Sequence, residues 1–160
     1  MDLSGTRILK ADRETVWARL NDADTLATAI PGCETLTGSP EEGFEAVVKQ
    51  KVGPVKATFK GKVTLSDMMP PESYTITGEG TGGVAGFAKG GAQVHLSDVE
   101  GGTQLRYTVE AKVGGKLAQL GGRIIDSFAR KMADQFFDNF QEQIDGPPDP
   151  EADTDAAPAA

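Results

Sequence analysis

Residues 114–146 read GGKLAQLGGRIIDSFARKMADQFFDNFQEQIDG, and the apolar positions in this stretch decide the fold. Leu117, Leu120, Ile124, Phe128, Met132, Phe136 and Phe140 recur mostly every fourth residue, the spacing of one helix face. Asp145-Gly146-Pro147 ends the run, because glycine favours a helix stop and proline cannot continue one. The predicted helix is about 28 residues long, roughly 40 Å at the helical rise. With so long a stripe rich in phenylalanine, it must lie along something extended and apolar.

The preceding eighty residues supply that surface. From Val55 to Leu65 the odd positions are Val55, Ala57, Phe59, Gly61, Val63 and Leu65, and the even ones Lys56, Thr58, Lys60, Lys62 and Thr64. Period two with a basic outer face predicts a half-buried strand. Phe44 to Val52 and Leu105 to Val113 repeat the pattern, with turn signals at Glu42-Gly43, Gly53-Pro54, Pro70-Pro71 and Gly101-Gly102. Residues 3–10 read as the first strand. Asp12 and Asp22 then stand as N-caps of two short helices, the first with Val16, Trp17 and Leu20 as its apolar stripe, the second stopped by Pro31-Gly32. Seven strands are expected, antiparallel because their connections are too short for crossovers.

The chain as a whole fits one domain. Its 160 residues suffice for one core, and twenty glycines imply frequent bends and bulges. A net charge of −8 opposes binding to nucleic acid, which requires clustered surplus cations. About half of that charge belongs to a tail, residues 146–160, whose Pro, Ala, Gly, Thr and acidic composition predicts disorder; the folded domain is expected over residues 1–145. One cysteine, Cys33, and one histidine exclude an internal disulfide and the zinc-ligand spacings. Without a signal-peptide pattern or an apolar run of transmembrane length, the chain is expected to be cytoplasmic.

Motifs for chemistry are few. Gly78-Glu79-Gly80-Thr81-Gly82-Gly83 matches the dinucleotide fingerprint by letter, but a glycine-rich hairpin follows it instead of a helix, so no dipole awaits a pyrophosphate. Sharply bent strands are the better reading. His95 falls on the outer face beside inward Val94 and Leu96, and Cys33, with no histidine near it, reads as a small buried thiol. No nucleophile stands in a recognisable elbow or triad setting. An apolar helix stripe is ordinarily core. Here Gly121-Gly122 interrupts it, and small inward residues (Ala46, Ala57, Gly61, Gly78, Ala111) leave space, which predicts a cavity beneath the helix.

These segments also resemble a known family. Ser4-Gly5, Val16-Trp17 through Leu20-Asn21-Asp22, Ala29-Ile30-Pro31-Gly32-Cys33-Glu34, Lys51-Val52-Gly53-Pro54-Val55, Gly101-Gly102-Thr103-Gln104-Leu105 and Gly121-Gly122-Arg123-Ile124-Ile125 together resemble the CoxG family of carbon monoxide dehydrogenase subunits, within the START-like, polyketide-cyclase-like (SRPBCC) helix-grip superfamily. The likeness runs from about Asp2 to Ile144.

The resemblance implies an α+β helix-grip fold: a seven-stranded antiparallel curved sheet around the long C-terminal helix, with two short helices after the first strand at the cavity mouth. It implies an accessory role beside a molybdenum-containing carbon monoxide dehydrogenase or related hydroxylase, binding a quinone such as menaquinone or ubiquinone and linking the enzyme to the membrane quinone pool. No covalent cofactor, metal or catalytic residue carries over; the expected ligand is a quinone or another lipophilic molecule. Longer members continue past such a tail into an apolar anchor, whereas this sequence stops in the linker, so either the protein works without an anchor or the chain was shortened. If it works without one, the outward Lys49, Lys51, Lys56, Lys60 and Lys62 are expected to touch acidic lipid headgroups at the cytoplasmic face of the inner membrane or an acidic partner; otherwise they read as a solvated strand face.

The ligand-binding residues expected are Leu26 and Ile30 at the mouth, Phe44, Phe59, Ile76, Phe87 and Tyr107 from the sheet, and Leu120, Gly121, Ile124 and Phe128 from the helix. Phe87 needs a bulge at Gly90-Gly91 to point inward. Tyr107 could offer its hydroxyl to a quinone carbonyl or simply complete the core. An entrance is expected between the short helices and the long one. Two other readings stay open: an assembly or membrane-recruitment factor for a molybdenum hydroxylase, with a filled interior, and a cyclase- or hydrolase-like enzyme with polar groups converging in the cavity.

Overall fold

A computed structural model describes residues 2–146. The tail expected to be disordered falls, beyond Gly146, outside the described residues. The strands β1 (Asp2–Leu9), β2 (Cys33–Ser39), β3 (Gly43–Val52), β4 (Val55–Met69), β5 (Ser73–Thr81), β6 (Phe87–Val99) and β7 (Gly102–Gly114) form one sheet in the order β1-β7-β6-β5-β4-β3-β2. Every pairing is antiparallel. Helices α1 (Arg13–Leu20) and α2 (Ala23–Ala29) follow β1, and α3 (Lys116–Gln119) and α4 (Gly122–Asp145) follow β7. The expected helix-grip architecture is therefore present, with two short helices after the first strand.

The local causes are those the residues suggest. Asp12 accepts the Thr15 backbone N–H at 2.8 Å, and Asp22 accepts that of Thr25 at 3.0 Å, so each short helix begins on a side-chain cap. After α2 the chain turns through Gly32 in left-handed conformation (φ +76°), where a Cβ would overlap the Lys49 carbonyl oxygen. Gly32 in turn accepts the Lys49 N–H at 2.9 Å, so the Pro31-Gly32 step starts β2 as well as ending α2.

The long helix differs from expectation in two ways. It does not run unbroken from Leu117: Gly121 takes φ +92° and caps α4, which separates the single turn α3 from the 24-residue α4. The buried stripe also has another phase. Ile125, Phe137 and Phe140 are buried while Ile124 is 39% exposed. A step of four residues overshoots a helical turn by about 40°, so Ile124, sixteen residues before Phe140, has rotated about 160° away from it. Both cannot face the sheet.

Two cores result. The larger joins Leu9, Val16, Leu20, Tyr74, Val94, Leu96, Leu105 and Tyr107 to Phe137 and Phe140, with Phe136 and Ile144 packed against them. The smaller, at the other end of α4, gathers Val52, Leu117 and Ile125, with Val55, Phe59, Val113, Leu120 and Phe128 alongside.

Candidate functional site

Between the sheet and the C-terminal half of α4 lies a partly enclosed cavity of about 260 Å³. Its floor is built by strand alternation. Phe44 and Ala46 of β3, Val63 and Leu65 of β4, Tyr74 and Ile76 of β5, Ala92 and Val94 of β6, and Leu105, Tyr107 and Val109 of β7 all take the inward parity. Leu20, Leu26 and Ile30 close one side and Ala133, Phe136 and Phe137 form the roof. The wall is almost wholly carbon.

Five of the expected site residues meet here: Leu26, Ile30, Phe44, Ile76 and Tyr107. The others do not line it. Phe59, Leu120 and Phe128 pack in the smaller core. Ile124 faces outward for the reason of helical phase given above. Gly121 is exposed at the break between α3 and α4, and a Cβ there would meet nothing within 4 Å, so this glycine borders open space instead of the cavity. Phe87 lies on the outer face, 43% exposed, opposite Gly114, with its ring over that glycine. The bulge it required at Gly90-Gly91 is absent, since β5 and β6 pair without a shift from Ser73 opposite His95 to Thr81 opposite Phe87.

The tyrosines divide the polar potential of the site. Tyr107 stacks on Phe137 at 4.5 Å between centroids, but its hydroxyl lies over Gly5, 2.6 Å from where a Cβ would stand. Only the absence of a side chain at Gly5 admits it. Burial raises its phenol pKa, with the nearby Asp134 carboxylate adding to the rise and Arg7 opposing it. Tyr74, overlooked in the sequence, stands edge-on to Trp17 at 5.0 Å, and burial pushes its phenol well above the ordinary range. Its alternation with Ile76 was the available signal. Both phenols stay neutral at physiological pH.

A second space joins the first. An open apolar groove of about 350 Å³ runs along the inner face of β5, β6 and β7, lined by Gly78, Gly80, Ala88, Gly90 and Ala111. It shares Val63, Ile76, Ala92 and Val109 with the cavity, so these four stand between them. The small side chains leave this strip of sheet uncovered by α4. The seam expected as the entrance, between α2 and α4, is instead bridged: Asn139 donates to the Ala29 carbonyl at 3.0 Å and Gln143 to that of Thr25 at 3.0 Å.

Other candidates for chemistry are placed away from the cavity. His95 is exposed on the outer face, as its parity requires. Cys33 is half-buried, not fully buried as its size suggested; its thiol donates to the Thr35 carbonyl at 3.4 Å, and burial raises its pKa. The glycine motif forms the end of β5 and a single 3-10 turn at Gly83–Ala85. Among the described residues no cluster of His, Cys, Asp and Glu could hold a metal ion, and no helix is long and apolar enough to cross a membrane.

Comparison with known proteins agrees with this geometry. The profile of the CoxG family, described as a subunit of carbon monoxide dehydrogenase, matches residues 5–145. Among curated proteins none matches the chain. A conserved protein from Geobacillus kaustophilus superposes with a TM-score of 0.83 at 31% identity, covering 90% of this chain and 95% of its own. An uncharacterised protein from Rhizobium leguminosarum gives 0.67 at 18% identity, covering 89% and 95%. A Mycobacterium smegmatis protein gives 0.66 at 14% identity over 92% and 93%; these last two share the fold.

Proposed function

Because the chain belongs to the CoxG family of carbon monoxide dehydrogenase subunits, we propose that it carries a lipophilic molecule, a quinone above all, for a molybdenum-containing carbon monoxide dehydrogenase or related hydroxylase. In this role it serves as an accessory protein that links the enzyme to the membrane quinone pool. The observation that carries the reading is the partly enclosed, carbon-walled cavity bordered by an apolar groove. Cores are ordinarily packed to crystal density, and space of this size deprives its lining of dispersion contacts unless something fills it.

The shape of the site divides such a ligand. The enclosed part suits a branched hydrocarbon tail, which asks for no hydrogen bond. A quinone ring fits the open groove better, because its carbonyls would be left unpaired inside the cavity while water reaches them in the groove. Tyr107 turns its hydroxyl to the β1 seam, so it completes the wall with its ring. The assembly-factor reading calls for bulky side chains filling the interior, and the cyclase or hydrolase reading for convergent polar groups. The cavity supports neither.

The test is native mass spectrometry of gently purified protein followed by organic extraction, comparing the wild type with Ala92→Phe, which places a ring where groove and cavity meet. A copurifying lipophile present in the wild type and lost from the folded variant is expected. An empty wild type that also takes up no added decylubiquinone would end the carrier reading in favour of the assembly factor.

A further inference from the structure

The cavity wall carries two polar side-chain groups, the hydroxyls of Tyr74 and Tyr107, and every other side chain on it is hydrocarbon. The Tyr107 hydroxyl lies over Gly5, near Asp134 and Arg7. Tyr74 is placed differently. Its ring leaves β5 on the same face as Ile76 and meets Trp17 edge-on at 5.0 Å, so packing fixes its direction. Only 4% of the residue is exposed, yet its hydroxyl makes no hydrogen bond with any described residue. Buried polar groups ordinarily have a partner, and one without asks for an explanation.

The free hydroxyl borders the cavity. Among the described residues, Asn21 Oδ1 is the one side-chain polar atom that is both sealed from water-sized space and without a partner. The Tyr74 hydroxyl also lacks a partner but is not sealed, so it touches open space, and the cavity is the space that Tyr74 lines. Water fits poorly there. A buried water typically makes about three hydrogen bonds, whereas the hydrocarbon around Tyr74 leaves it this one. An organic oxygen that brings its own carbon chain into the cavity needs no more than one.

A single donor restricts the ligand. Burial pushes the Tyr74 phenol well above its ordinary range, so it keeps its proton at physiological pH. A carbonyl oxygen only accepts, and one bond from Tyr74 leaves no polar hydrogen unpaired. An alcohol leaves one of two hydroxyl hydrogens without an acceptor, a carboxylate brings charge into a hydrocarbon wall, and a quinone brings a second carbonyl with no donor. We infer that the cavity is a site for a monocarbonyl lipophile, an alkyl ketone or aldehyde, whose oxygen accepts from the Tyr74 hydroxyl while its chain runs toward the groove past Ala92 and Val109. This goes beyond the quinone reading, which seats a ring in the groove and leaves the Tyr74 hydroxyl unused.

The experiment is calorimetric titration with methyl heptyl ketone and with the matching secondary alcohol, joined to infrared spectra of the ketone isotopically labelled at its carbonyl. Wild type is expected to bind the ketone about threefold to tenfold more tightly than the alcohol, the range one hydrogen bond supplies. The bound carbonyl stretch should fall below its position in hexane. Tyr74→Phe should lose both the preference and the shift, and should take up decylubiquinone within about twofold of wild type. No ketone binding by wild type, an unshifted carbonyl band, or equal ketone affinity in the folded variant would overturn the assignment. If the variant does not fold, the wild-type spectrum decides the case alone. Decylubiquinone uptake keeps the two readings apart: ketone binding without it supports the Tyr74 site and sinks the quinone carrier, and the reverse overturns the Tyr74 site and leaves the carrier standing.

Discussion

The two halves of α4 are held in different ways. In the C-terminal half, Arg7 binds Asp138 at 2.7 Å and lies 5.9 Å from the centre of the Phe137 ring, Gln141 donates to the Ile8 carbonyl at 2.9 Å, and Asp145 accepts the Lys10 N–H at 2.9 Å. Asn139 and Gln143 tie the same half to α2. Among the described residues, the side chains of residues 122–133 make no hydrogen bond or ion pair with the rest of the protein. That half rests on Ile125 and Phe128 in the small core, beside the uncovered groove. Directional bonds fix a helix at one register, whereas a few apolar contacts let it open locally. The difference teaches that one helix can be fixed by directional bonds over the half that roofs the cavity and by apolar packing over the other.

Breaking the anchor should have the largest effect. Phe140→Ala removes a fully buried ring and should cost about 3–5 kcal/mol in denaturant unfolding, against about 1–2 kcal/mol for Phe128→Ala in the other half. Equal losses would abolish the contrast. Asn139→Ala leaves the Ala29 carbonyl unpaired and should cost about 1–2 kcal/mol. It should also speed amide exchange in α2 while leaving α3 unchanged.

The hinge between the halves of the α3–α4 segment offers a finer test. No atom lies within 4 Å of a Cβ at Gly121 or Gly122, so substitution there reads the backbone alone. Gly121→Ala forces alanine into an extended conformation of positive φ that is essentially confined to glycine and should cost about 1–3 kcal/mol, while Gly122→Ala, at the first helical position, should stabilise by a few tenths of a kcal/mol. Thermal melts of both variants check the sign.

The smallest effect concerns pH. Hydrogen bonds from the Thr25 side chain and backbone hold the Asp22 carboxyl below its ordinary value, and Thr15 does the same for Asp12. A lowered folded pKa contributes stability present above the unfolded value, about pH 4, and lost as pH falls through the folded one. Stability of Asp22→Asn should therefore depend less steeply on acid below about pH 4.

Much of this was legible in the sequence because strands report their faces by parity. The alternation around Phe59 and Tyr107 predicted the sheet, and Asp12 and Asp22 predicted the helix starts. The inner sheet residues Phe44, Ile76 and Tyr107 fell on the cavity wall for the same reason. What failed was geometry over longer range. A four-residue count misplaced Ile124 because helical drift accumulates, and Gly121 read as a gap in a helix when its backbone ends one. Phe87 followed composition against its own parity. Phe137, adjacent to Phe136, was missed because a helix stripe over 100° wide can bury neighbours.

Hydrogen exchange along α4, with and without decylubiquinone, tests the central claim most directly. Occupancy of the cavity should slow exchange at least severalfold in α4 around its roof, Ala133, Phe136 and Phe137, and leave residues 122–130, which line neither the cavity nor the groove, nearly unchanged. Uniform slowing, or no change in either half while the probe demonstrably binds, would contradict a ligand site beneath the C-terminal half of the helix.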